Sequence, residues 1–428
     1  MTMIGVAVGL GAVWRFPYMV GKFGGAAFVL FYLVVVFFIG IPALMAEWIL
    51  GRHTHRGTLG AYEKGGFPGG KYIGYFLFFI VFWATGYYSN ALGWVGFHAI
   101  GELVNALGGD LDAGAILPPQ MGFDLRSFLL QLLMTAVVIF TCGIVLVKGL
   151  RKGIEKTSKW IVPTLFGILV VLIFRSVTLP GAERGIQWFL GGFRFDAWEP
   201  SVMAAALGMA FFSLSLGGTF MVIYGSYLEK KSPISKNAGL TGIAASIAGL
   251  LAGFAIFPAV FAFGLEPSSG PGLIFSTLPK TFDLMPAGWL FGLLFFAGLF
   301  GAAYLSDVAA FEVLVGGLLD NTKWKRKRAV IWVCATVYLL AIPPMINMQV
   351  FVPWDLTFGS GMQALGSLLA VLTAGWFIKR YAFLEELHAG KKFFRSLLYW
   401  WLRIIVPAAI LFVGINWLLE SVFGIDIF

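Results

Sequence analysis

"GVAVGLGAVWRFPY", residues 5–18, sets Gly5, Gly9 and Gly11 within seven positions of an apolar run, which then closes on Arg15, an aromatic and Pro17. It reads as a membrane helix whose backbone is interrupted halfway. A second stretch of the same small, hydroxyl-rich and glycine-rich character, "FFSLSLGGTF" at residues 211–220, lies five apolar spans later. Lipid cannot satisfy free N–H and C=O groups, so irregular backbone survives in a bilayer only where protein buries it or where it lines a polar cavity. An odd number of spans puts the two breaks in opposite orientation, the mark of inverted repeats with a binding site between discontinuous helices at the membrane midplane. Freed carbonyls there suit cations, and exposed helix N-termini suit anions. The plainer reading, glycines that only let a neighbouring helix approach, explains one break but not the matched pair.

Composition agrees with a membrane setting. Of 428 residues 59% are hydrophobic and 12% charged, with 55 glycines and a mean hydropathy of +0.87, well outside the soluble range. A span of about 20 apolar residues crosses a bilayer. Eleven candidates run end to end, at 3–21, 27–51, 72–107, 128–147, 160–177, 200–227, 238–264, 288–319, 330–345, 354–378 and 394–423. The joints are short, so the expectation is an all-α polytopic protein with one transmembrane domain over 1–428. It divides into a first repeat at 1–178, an inverted second repeat at 199–379 and an extra helix at 394–423.

The net charge of +9 is spread in clusters at alternate joints rather than along one polar face, which excludes nucleic acid as the partner. Arg52, Arg56, Lys64 and Lys71 form one cluster, Lys148, Arg151, Lys152, Lys156 and Lys159 the next, and Lys323 to Arg328 a later one. By the positive-inside rule these joints are cytoplasmic, with the N-terminus inside and the C-terminus outside a multi-pass inner membrane. No charged region with a small-residue cleavage site opens the chain, so no removable leader is expected. Cys142 and Cys334 sit inside apolar spans without redox or zinc spacing. His53 and His55 in a basic loop are too few ligands for a metal. "GLG" lacks the rest of a dinucleotide fingerprint, and there is no triad, carboxylate pair or P-loop, so neither an enzyme nor a cofactor is expected.

The ordered set "GVAVGLGAVWRFPY", "GGAAF", "GIPALMAEWILGR", "GYYSNALGW", "GIEKTSKWIVPTLF", "RSVTLPGA", "FFSLSLGG" and "WDLTFGSG" resembles the neurotransmitter:sodium symporter family over nearly the whole chain. That resemblance implies an alternating-access transporter of a small amino acid or amine, with sodium as coupling ion and broken helices 1 and 6. The family's bacterial leucine transporter is itself a standard example of inverted repeats. The substrate carboxylate would meet backbone N–H groups around Leu10 and Gly11 and the hydroxyl of Tyr88, with Ala7 also at the substrate site and its carbonyl available to the first cation site. Its side chain would lie among Ala84, Phe212, Ser213, Ser215, Gly218, Ser306 and Ala310, where the small residues leave room for a bulky apolar or aromatic group. Arg15 and Asp355 match the external gate pair, and Glu47 matches the acid that braces the break near Gly217.

The cation sites depart from the family. At the first, the expected side-chain oxygens read Ala12, Ser213 and Ala245, so two of three are methyl groups, a poor set for a hard cation. The second would use carbonyls of Gly5, Val8 and Ala302 with Leu305 and Ser306 at the hydroxyl positions, and only the serine keeps an oxygen. Asp307 follows at once, an acid inside an apolar span, expected either to donate an oxygen to sodium, to couple transport to protons, or to bond neighbouring hydroxyls. Met209 replaces a glutamine beside the gate. The half-helix that the family carries before the first break is missing ahead of Gly5, which reads as a start placed too late. Proton-coupled or sodium-independent transport, and a non-transporting receptor with eroded cation sites, stay open beside symport, as do substrate identity and oligomeric state.

Overall fold

The computed structural model describes residues 7, 9, 11–149, 155–191, 200–267, 272–387 and 392–423. Gly5, Val8 and Leu10 of the expected site lie outside them. Among the described residues every regular element is helical, as a chain that must satisfy its own backbone in lipid requires. In order these are α1 (Phe16–Lys22), α2 (Ala26–Thr54), α3 (Gly70–Ala106), α4 (Leu125–Val147), α5 (Lys156–Val177), the pair α6a (Pro200–Ser213) and α6b (Phe220–Ser226), α7 (Ile234–Ala262), α8 (Gly288–Asn321), α9 (Arg326–Leu340), α10 (Met348–Phe377) and α11 (Phe393–Phe412). Eight of them, namely α2 to α5, α7, α8, α10 and α11, are long and apolar enough to cross a membrane.

Three expected spans take another form. The first is described from a wide π-type turn, Gly11–Arg15, that runs into α1. The sixth is two short helices, with residues 214–219 unwound between them. The ninth, α9, has 15 residues, about 22 Å of helix against a hydrocarbon core of about 30 Å, and a turn at Pro343–Met345 follows it.

The two longest helices, α3 and α8, lie side by side at the centre. Gly317 on α8 seats the ring of Phe78, and Gly96 on α3 seats that of Phe300. On the other side α2 meets α6b backbone to backbone: a Cβ on Gly51 would strike the carbonyl of Val222, and one on Gly225 would come within 2.7 Å of the Trp48 carbonyl. The outer faces carry Phe79, Phe140 and Phe174, each more than 60% exposed, a surface made for lipid.

Charge is concentrated at one end of the bundle. Arg52, at the end of α2 and 1% exposed, donates from Nε to Glu386 Oε2 at 2.5 Å and from its two Nη groups to the carbonyls of Glu386, Ser232 and Glu229. Glu312 on α8 pairs with Arg326, whose Nε also donates to the Leu146 carbonyl at 2.7 Å, and accepts from the Tyr227 hydroxyl at 3.3 Å. Asp320 accepts from the Gly57 amide and, through its carbonyl, from Arg56.

Candidate functional site

The break in α6 is built residue by residue. The amide of Leu216 donates to the Phe211 carbonyl and that of Ser215 to the Phe212 carbonyl, the paired bonds that close a helix with its C′ residue left-handed. Ser215 occupies that position at φ +52°, where glycine is the usual choice. Gly217 (φ +151°) and Gly218 (φ +67°) then turn the chain into α6b. Two of their backbone groups find side-chain partners: the Gly217 amide donates to Glu47 Oε1 at 2.9 Å, and the Gly218 carbonyl accepts from the Tyr62 hydroxyl at 2.7 Å. Glu47, which serves as that acceptor, is wholly buried. Tyr62 was not singled out, because nothing in its local pattern connects it to a residue 156 positions away.

The described part of the first break faces this one. A Cβ on Gly11 would come within 2.9 Å of the Phe212 ring, and one on Gly9 would collide with the hydroxyl of Ser306 and lie 3.3 Å from that of Tyr88. Only glycine lets the chain pass so close to both hydroxyls. Between the breaks lies a cavity. Ala7, Gly9 and Gly11 form one wall, Phe212, Ser215 and Phe220 the opposite one, α3 supplies Ala84 and Tyr88, and α8 supplies Ser306 and Ala310. Thr85, Tyr87 and Gln363 complete it. Phe220, Tyr87 and Gln363 were absent from the expected set, as was Thr85.

Two expected side-chain contacts lie elsewhere. Ser213 Oγ is engaged with the Tyr32 hydroxyl at 3.0 Å and the Ala210 carbonyl, on the face of α6a turned from the cavity. Gly218 packs against Tyr62 and the Gly366 carbonyl, behind the cavity wall. Above the cavity Arg15 Nη1 stands 3.7 Å from Asp355 Oδ1, and its guanidinium lies 4.4 Å from the centre of the Phe212 ring. Cation–π and ion-pair contacts together tie the two walls. Tyr87 stands beside this pair, against Gly359, where a Cβ would come within 2.0 Å of its hydroxyl and 2.7 Å of Asp355 Oδ1.

The cation expectations divide. Ala12 and Ala245 are fully buried methyl groups and Ser213 is occupied, so the first site holds few oxygens. On α8, Ala302, Ser306 and Ala310 recur every four residues and share a face, with Ser306 against Gly9. Asp307 is one residue on, about 100° around the helix. It is buried on an adjoining face, where Ser89 Oγ donates to its two oxygens at 3.1 and 2.9 Å and Cys142 Sγ lies 3.9 Å away. Asp307 is therefore a partner of α3 and α4 and not a wall of the cavity. Of the three expectations, hydroxyl bonding is the one its geometry matches. Cys142 is part of the same cluster.

A family model described as the sodium:neurotransmitter symporter family matches residues 1–109 and 124–422. Among curated proteins the chain is 33% identical to YhdH of Bacillus subtilis, described as an uncharacterized sodium-dependent transporter, over 97% of this chain and 95% of that one. It is 29% identical to the sodium- and chloride-dependent GABA transporter 2 of Bos taurus, over 85% of this chain and 68% of that one. The crystal structure of MhsT in complex with L-phenylalanine aligns with a TM-score of 0.86 and 33% identity over 97% of each chain.

Proposed function

The chain belongs to the sodium:neurotransmitter symporter family, and from that premise we propose that it is a sodium-coupled symporter of a small amino acid with a bulky apolar or aromatic side chain. The curated relatives are transporters and not enzymes. One observation carries the proposal: the break in α6 meets Ala7, Gly9 and Gly11 of the first span across a cavity that holds the hydroxyls of Tyr88 and Ser306 and is otherwise largely apolar. In this reading the substrate carboxylate takes amides at Leu10 and Gly11 and the Tyr88 hydroxyl, an anion site that needs no buried arginine. The side chain rests on Ala84, Phe212 and Ala310. Sodium takes the carbonyls of Gly5, Val8 and Ala302 and the hydroxyl of Ser306 as cargo. The bound phenylalanine named for MhsT supports an aromatic substrate here.

Arg15 and Asp355 act as the external gate, and residues 1–178 and 199–379 as inverted repeats that rock about the site, with 394–423 as the additional helix. The N-terminus lies in the cytoplasm and the C-terminus outside. The test is uptake of labelled amino acids into proteoliposomes under a sodium gradient, a proton gradient or neither. Accumulation that requires sodium is expected. Uptake driven by protons alone, or binding without uptake under any gradient, overturns the proposal.

A further inference from the structure

We propose that Gln363 reads the side chain of the transported amino acid, its amide pairing with a donor at the far end of an aromatic ring, so that the site prefers tyrosine or tryptophan to phenylalanine. This rests on the transport reading above. Gln363 projects from α10 and lies across the glycine of the α6 break: a Cβ on Gly217 would sit 3.3–3.4 Å from its Cα, Cβ and Cγ. It lines both the main cavity and a recess that opens beside it, and Ala84 and Phe220 are shared in the same way. The recess wall is otherwise mostly apolar, formed by Leu77, Ile80, Val81, Phe358 and Met362.

Gln363 Oε1 is buried there and has no protein partner among the described residues. A buried amide oxygen left unpaired is costly and calls for a reason. Support of the break is not that reason, because the Gly217 amide, the donor on the glycine it lies across, is taken by Glu47. What remains is a ligand in the cavity. An aromatic ring laid against the apolar wall would bring a phenol O–H or indole N–H to this end of the site. A site that holds an acceptor for such a donor discriminates against the analogue that lacks it, since the acceptor is then left unpaired.

The experiment is competition binding and uptake with the full chain in proteoliposomes, using phenylalanine, tyrosine, tryptophan and 1-methyltryptophan, for the wild type and for Gln363→Met. The expected result is a preference of about tenfold for a donor-bearing ring over phenylalanine, a size typical of one neutral hydrogen bond. N-methylation should erase it for tryptophan, and Gln363→Met should collapse the ratio toward one. The methylated pair decides the matter on the wild type alone should the variant not fold. Equal affinities for tryptophan and its methylated analogue together with equal affinities for tyrosine and phenylalanine, or a preference that survives in Gln363→Met, overturn the role of Gln363 and leave transport intact. If the wild type binds no amino acid, the transport reading fails and this one falls with it.

Discussion

Ser215 shows how a single residue can be placed for its side chain at the expense of its backbone. It holds the left-handed C′ position that closes α6a, where a residue with a Cβ is strained by roughly 1–2 kcal/mol. Its hydroxyl-bearing side chain lines the cavity. Ser215→Gly should therefore raise substrate-free stability by on the order of 0.5–1 kcal/mol, the gain being reduced by the greater freedom of glycine in the unfolded chain. The same change should weaken substrate binding. Thermal unfolding in detergent, followed by ligand titration, checks both, and a loss of stability would refute the strain argument. Asp307 carries the complementary lesson. Next to Ser306 in the chain, it faces Ser89 and Cys142 instead of the cavity, because one step along a helix turns the side chain by about 100°.

Among elements, the charged end of the bundle depends on Arg52. Its guanidinium joins the end of α2 to the chain between α6b and α7, through the carbonyls of Glu229 and Ser232, and to the short helix Arg380–Glu386 between α10 and α11. Such a buried cation is held only while its acceptors stay in place. Arg52→Met removes every one of these bonds at once and leaves Glu386, whose side chain is 17% exposed, without its cation. The expected loss is on the order of 3 kcal/mol, read from denaturant or thermal unfolding. A loss below about 0.5 kcal/mol, the range of an ordinary surface change, would show that the three segments are held together by packing alone.

At the scale of the whole molecule, α3 and α8 form the central pair against which the two breaks are arranged, and the cation site proposed on α8 joins that pair to the first break through Ser306 and Gly9. A ligand that bridges two bodies stabilises the folded state by mass action, about 2.7 kcal/mol at one hundred times its Kd. Sodium should raise the thermal midpoint and potassium at equal ionic strength should not, with the sodium effect lost in Ser306→Ala. Identical midpoints in the two salts would remove Ser306 from the proposed cation site.

The sequence by itself determined the membrane class, the helical content and the break within the sixth span. These follow from local signals: long apolar runs joined by short polar segments, and a glycine and hydroxyl cluster inside one of them. Arg15, Glu47, Tyr88, Phe212, Ser215 and Asp355 were legible for a further reason, since each falls on a stretch that resembles the family. The tertiary structure alone decided which way Ser213, Gly218 and Asp307 face, placed Gln363 at the cavity, and brought Tyr62 and Glu386 to their partners, the last across 334 residues of chain. Composition and periodicity report how apolar a helix is, whereas its rotation and its neighbours are set by packing against helices hundreds of residues away. A polar side chain inside such a bundle acquires its role only when that packing has chosen what it faces.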